Sequence, residues 1–267
     1  MPHADVNGQR LFYEDTGSGR PAVIWSHGLF MDRSMFDAQV QAFAGTHRCV
    51  TWDERGHGQT ESTPDPFSYW DAAGDLLGLM DHLGIERAVL AGMSQGGFLS
   101  MRAALTAPER VMGLVLIDTQ AGVEDPAKLE GYDALLEAWT AGGSGVPPAV
   151  ADIVAGIVIG DPDRAGEWKA KWQTMDHATV RQVYATLVGR DDITDRLGEL
   201  DVPALVVHAT DDAAIELEAG RRLADGVPRG ELAVIEGGGH ASNMTRPDDV
   251  NPHIERFLAA LREQATA

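Results

Sequence analysis

The sequence predicts an α/β fold: a mostly parallel central sheet with helices on both faces and a helical cap inserted into it. Three observations carry this. Segments of strand and helix periodicity alternate along most of the chain, as βαβ units do. With 267 residues, 44% of them hydrophobic, the chain can bury a sizeable core as one domain. From residue 120 to residue 196 the alternation stops, and afterwards it resumes. Residues 1–119 and 197–267 are therefore read as one core, and 120–196 as a cap.

The elements follow in order. Asn7-Gly8 separates two short extended runs and suits the type I′ turn of a β-hairpin. Residues 22–26 form a short apolar strand ending in His27-Gly28, and 48–52 a second, ending in the polar loop Asp53-Glu54-Arg55-Gly56-His57-Gly58. Residues 70–83 place Ala73, Leu76, Leu77, Met80 and Leu83 at helical spacing and stop at Gly84. A strand at 88–91, a helix from 95 to a stop at Pro108, and a strand at 112–117 complete the first half. The cap region holds Gly142-Gly143-Ser144-Gly145, Pro147-Pro148, and the aromatics Trp139, Trp168 and Trp172. A strand at 204–207, a helix at 216–224, a strand at 231–235 and a last helix near 248–262 close the chain.

Charge narrows the partners. There are 41 acidic and 21 basic side chains, a formal net charge of −20. That field repels a nucleic-acid backbone and anionic lipid, and it keeps a protein soluble. A small-molecule substrate is expected, with neither nucleic acid nor membrane as partner, on a monomer or homodimer. Cys49, the single cysteine, lies in an apolar run and reads as core filler. The first residues carry neither the basic start nor the apolar core of a signal peptide, and no apolar run approaches the ~20 residues that span a bilayer. The expected compartment is a reducing cytoplasm.

Chemistry concentrates at the strand ends. Gly92-Met93-Ser94-Gln95-Gly96 fits G-x-S-x-G between a strand and a helix, the setting that exposes a serine on a sharp turn. The glycines relieve crowding, Gly97 lets the helix pack close, and the helix N-terminus favours a developing oxyanion. A serine needs a base. Of nine histidines, His240 stands out, carried past the last strand by Glu236-Gly237-Gly238-Gly239 to the edge where catalytic groups gather. His208 ends a strand and reads as packed. An orienting carboxylate could be Asp211, Asp212 or Asp118, each at the carboxyl end of a strand. The backbone N–H of Gln95 and that of Leu29, after the Trp25 strand, are the expected oxyanion donors. His27 and the Arg55–Gly58 turn read as braces. No metal cluster, phosphate loop or dinucleotide pattern is visible, so neither metal nor cofactor is expected.

Together His27-Gly28, Asp53-Glu54-Arg55-Gly56-His57-Gly58, Gly92-Met93-Ser94-Gln95-Gly96-Gly97, Ala209-Thr210-Asp211-Asp212 and Gly239-His240 resemble the α/β-hydrolase superfamily over essentially the whole chain. The resemblance implies the α/β-hydrolase fold and the chain order Ser…Asp…His, and it selects Asp212 as the acid. The chain looks most like the capped carboxylesterases, perhydrolases and enol-lactonases. Leu29-Phe30 replaces the tryptophan and proline that follow the histidine-glycine pair in many aryl esterases, which argues against a perhydrolase. Serine rather than aspartate at 94 excludes dehalogenase and epoxide-hydrolase chemistry. The implied activity is hydrolysis of a small carboxylic ester or lactone through an acyl-enzyme on Ser94. Phe30, Trp139, Trp168, Trp172 and Tyr184, with Tyr132, are the expected pocket lining. The alternatives are a small-ligand receptor with an idle triad, or a lyase or acyltransferase using the same residues.

Overall fold

The computed structural model describes residues 2–266, with side chains described through residue 263. The chain opens with β1 (His3–Val6) and β2 (Gln9–Asp15), joined by Asn7 and Gly8 at φ 49° and 77°, the positive angles a type I′ turn requires. Next come β3 (Ala22–Ser26), α1 (Asp37–Phe43), β4 (Arg48–Trp52) and α2 (Tyr69–His82). The start of α2 is a reciprocal cap: Ser68 accepts from the Asp71 N–H while the Asp71 carboxylate accepts from the Ser68 N–H. It buries Ala72, Ala73, Leu76, Leu79 and Met80, and Gly84 (φ 63°) ends it. Then follow β5 (Ala88–Met93), α3 (Gln95–Thr106) and β6 (Val111–Ile117).

Between β6 and the next strand the chain adds no strand. It forms α4 (Pro126–Thr140), α5 (Pro148–Val158), α6 (Ala165–Trp172) and α7 (His177–Val188). The sheet resumes with β7 (Ala204–Ala209), α8 (Leu217–Gly226) and β8 (Gly230–Ile235), and the chain finishes with α9 (Ser242–Thr245) and α10 (Pro247–Thr266). Two short helices, α1 and α9, lie where the sequence pattern gives no helix. Among the described residues, no helix is long and apolar enough to cross a membrane.

The eight strands form one sheet in the order β1-β2-β4-β3-β5-β6-β7-β8. The β1–β2 and β2–β4 pairs are antiparallel, and every other pair is parallel. Strand pleating sends alternate residues to opposite faces. Along β5, Ala88 and Leu90 join the core under α2, α3 and α8, while Val89, Ala91 and Met93 join the core under α1 and α10. Full burial of each such Val or Leu side chain is worth about 1.5–3 kcal/mol, which makes this strand the centre of the fold. The order also reverses at β3. From there the chain proceeds to β4 on one side and to β5 on the other, which opens a crevice at the carboxyl ends of β3 and β5. The loops after both strands meet there.

Candidate active site

Ser94 occupies the sharp turn between β5 and α3, at φ 50° and ψ −114°. A non-glycine residue in that region stores on the order of 1–3 kcal/mol, so its neighbours must hold it. They do: the Ser94 N–H donates to Ile117 O (2.9 Å), and the Ser94 carbonyl accepts from the N–H groups of Gly97 and Phe98 and from Thr119 Oγ1. Crowding explains the two motif glycines. A Cβ on Gly92 would overlap the Gly96 backbone, and one on Gly96 would overlap the Ser26 carbonyl.

His240 is buried, and its Nδ1–H donates to Asp212 Oδ2 at 2.8 Å. The other oxygen, Asp212 Oδ1, accepts the N–H groups of Ala214 and Ile215, both at 2.9 Å. Burial would raise the Asp212 pKa, but the His240 charge and hydrogen bond and the Ile215 N–H outweigh it and hold it below its ordinary value. Burial would likewise lower the His240 pKa. The Asp212 charge and hydrogen bond, with Asp118 and Glu124 behind them, instead hold it above its ordinary value of 6.5.

The rival carboxylates stand elsewhere. Asp211 is exposed and accepts from Thr210 Oγ1. Asp118 is fully buried, and its two oxygens accept backbone N–H groups rather than the His240 ring. His208 is packed as expected, with Nε2 donating to Ile215 O (2.8 Å). The structure does bring ligand atoms of Asp118, His208 and Asp212 within 4.8 Å of one another, a grouping no sequence spacing announces. Asp118 and Asp212 accept backbone N–H groups and the His240 ring, and His208 Nε2 donates to Ile215 O, while His208 Nδ1 is buried without a partner. These bonds already tie the carboxylates to the loops around the site.

The loop after β3 is braced by two histidines. His27 Nε2 accepts from the Glu54 N–H (3.0 Å) while its Nδ1–H donates to Gly28 O (2.9 Å). His57 Nε2 accepts from the Phe30 N–H (3.3 Å) while its Nδ1–H donates to Arg55 O. Burial pushes the His57 pKa down to about 3, so the ring stays a neutral acceptor for that loop. The Gly28 N–H goes to Met35 Sδ, but among the described residues the Leu29 N–H between these neighbours has no acceptor. Gln95 is the first residue of α3, where helices leave their N–H groups unpaired. Its side chain is tied at both ends, donating to Glu54 Oε2 (2.8 Å) and accepting from Tyr69 Oη (3.2 Å). Burial keeps the Glu54 carboxyl well above the usual range.

Ser94, His240 and Leu29 line one cavity of about 90 Å³, roofed by α4, α5 and α7. Phe30, Trp139, Tyr132 and Tyr184 line it as well. Trp168 and Trp172 do not. The Trp172 indole N–H donates to Phe30 O (2.8 Å), and that of Trp168 reaches Met244 Sδ (3.2 Å), so both brace the roof from outside. Much of the remaining lining is aliphatic and missing from the sequence expectation: Leu135, Leu136, Val154, Ile157 and Val158. The signal was present in α5, whose sequence PAVADIVAGIV is apolar on more faces than core packing needs. Glu124 also lines the cavity, paired with the buried Arg190 guanidinium.

A carboxylate-oriented imidazole sharing a cavity with a strained serine is an arrangement that can activate a nucleophile. Residues 21–144 match the family described as alpha/beta hydrolase fold, and residues 172–266 that described as TAP-like protein. The chain is 27% identical to a protein of Azorhizobium caulinodans bearing the name carbamate hydrolase RutD, over 98% of this chain and 99% of that one. The solved structure of an esterase from Thermogutta terrifontis matches with TM-score 0.87 and 27% identity, covering 97% of this chain and 98% of that one. The enol-lactonase from Burkholderia xenovorans matches with TM-score 0.86 and 28% identity, covering 97% of this chain and 100% of that one. Relatives named as non-heme haloperoxidases stand among the same matches.

Proposed function

The chain belongs to the α/β-hydrolase superfamily, and from that premise we propose that it hydrolyses a small carboxylic ester or lactone through an acyl-enzyme on Ser94. One observation carries the reading: the 2.8 Å bond from His240 Nδ1–H to Asp212, on a ring that shares its cavity with Ser94. That bond fixes the tautomer with a free Nε2, the form that can take a proton. Ser94 Oγ attacks the carbonyl carbon as its proton passes to His240 Nε2. The Leu29 and Gln95 N–H groups receive the oxyanion, and the leaving oxygen departs with the proton from His240. Water then repeats the sequence on the acyl-enzyme. At about 90 Å³ the cavity holds only a handful of water-sized spheres, which fits a small acyl group with an apolar body.

The test is a panel of short esters, lactones, carbamates and cyanohydrins, with hydrogen peroxide as a competing acceptor. Hydrolysis of esters or lactones above the rest supports the reading. Cyanohydrin cleavage alone would make the protein a lyase, and binding without turnover would make it a receptor.

The pH profile follows from His240. Imidazolium cannot accept a proton, and the Asp212 charge stabilises it, so activity is lost as pH falls through a raised pKa. kcat/KM is expected to rise with pH to a plateau, with a midpoint above the ordinary 6.5, unchanged by EDTA. A midpoint below that value, measured on a substrate with no ionisable group, contradicts the assignment.

A further inference from the structure

We propose that Asp118 is a positioning residue, a carboxylate that clamps together the two loops carrying Asp212 and His240. The proposal rests on the triad reading above. Asp118 leaves the end of β6 at φ 45°, in the left-handed region that Asp and Asn tolerate best among side-chain-bearing residues. Its side chain is fully buried. Oδ1 accepts the Ala209 N–H at 2.9 Å, and Oδ2 accepts the Ser242 N–H at 2.9 Å. Ala209 ends β7, three residues before Asp212, and Ser242 lies two residues after His240. A single side chain thus holds the roots of both loops, on residues 91 and 124 positions away.

Packing does not require a carboxylate here. Burying a second acid beside Asp212 is unfavourable, and an apolar residue in its place would leave the Ala209 and Ser242 N–H groups without an acceptor. What only an ionised carboxylate supplies is an acceptor on each oxygen with no proton in between. Asp212, His208 and His240 all face it. Burial, then the Asp212 charge, push its pKa up to about 6, with His208, His240 and the Ser242 N–H pulling the other way. Above that pH it is charged, and its charge adds to that of Asp212 in favouring the His240 imidazolium. Asp118 therefore acts on the reaction through geometry and field, without touching substrate.

Asp118→Asn tests this, because Asn accepts the same backbone angles but turns an NH₂ toward one of the two N–H donors. Loosening one loop is expected to lower kcat about 10- to 100-fold. Losing the charge moves the acid limb of kcat/KM to lower pH. Native kcat and an unmoved limb, with only Tm reduced, would overturn the proposal, since a purely structural acid leaves both untouched. Should circular dichroism show the variant unfolded, the native protein decides. Its acid limb steepens to a two-proton slope below about pH 6 if Asp118 must be ionised, and a one-proton slope throughout overturns the clamp. Fluorophosphonate labelling of the native protein separates the two layers. No labelling sinks the triad reading and this proposal with it, whereas labelling with an unaffected variant sinks this proposal alone.

Discussion

Ser94→Ala is expected to lower kcat by about 10⁴-fold or more while the protein stays folded, because the members of the proposed triad act as a unit and none works without the nucleophile. Alanine keeps the Cβ, so the strained turn at φ 50° is no worse than before. The hydrogen bonds that brace it involve only the backbone of residue 94 and survive the change. Steady-state turnover of the best panel substrate gives the rate, and Tm gives the fold. Retained turnover in a folded variant would assign the nucleophile elsewhere.

Asp212→Asn is expected to cost about as much, near 10⁴-fold in kcat, for a reason readable in its hydrogen bonds. The Ala214 and Ile215 N–H groups both point at Oδ1 and demand an acceptor there. An asparagine that satisfies them must aim its NH₂ at His240 Nδ1. That traps the ring in the tautomer with the proton on Nε2, where it cannot take one from Ser94. Asp211→Asn, on an exposed side chain, is expected to leave kcat within a few-fold of native. Similar rates for both variants would remove Asp212 from the mechanism.

The serine turn was legible because its geometry demands glycine, and Gly92 and Gly96 are spaced to meet that demand. The place of His240 after the last strand pointed to the sheet edge where the structure has it, bonded to Asp212 at the cavity. The acid was not settled by residues alone. β6 and β7 are hydrogen-bonded neighbours, with Ile117 opposite Val207, so Asp118 and Asp212 arrive side by side and either could reach an imidazole. Resemblance chose Asp212, and in the structure the His240 Nδ1–H donates to Asp212 while Asp118 accepts backbone N–H groups. Trp168 and Trp172 misled because an apolar face looks the same in sequence whether it meets a cavity or a neighbouring helix. The helices α1 and α9 escaped notice because they are short and bury polar residues. Gln39, for example, donates to Asn243 O and Asn251 Oδ1, a contact spanning more than 200 positions. Contacts of that reach have no local signature.

Whether Ser94 is an activated nucleophile is decided by covalent trapping. The native protein is incubated with a fluorophosphonate, and the adduct is located by peptide mass spectrometry. The account predicts one adduct per chain, on Ser94, formed faster as pH rises through the His240 ionisation. An adduct on another residue, or none at any pH in the folded protein, would contradict it.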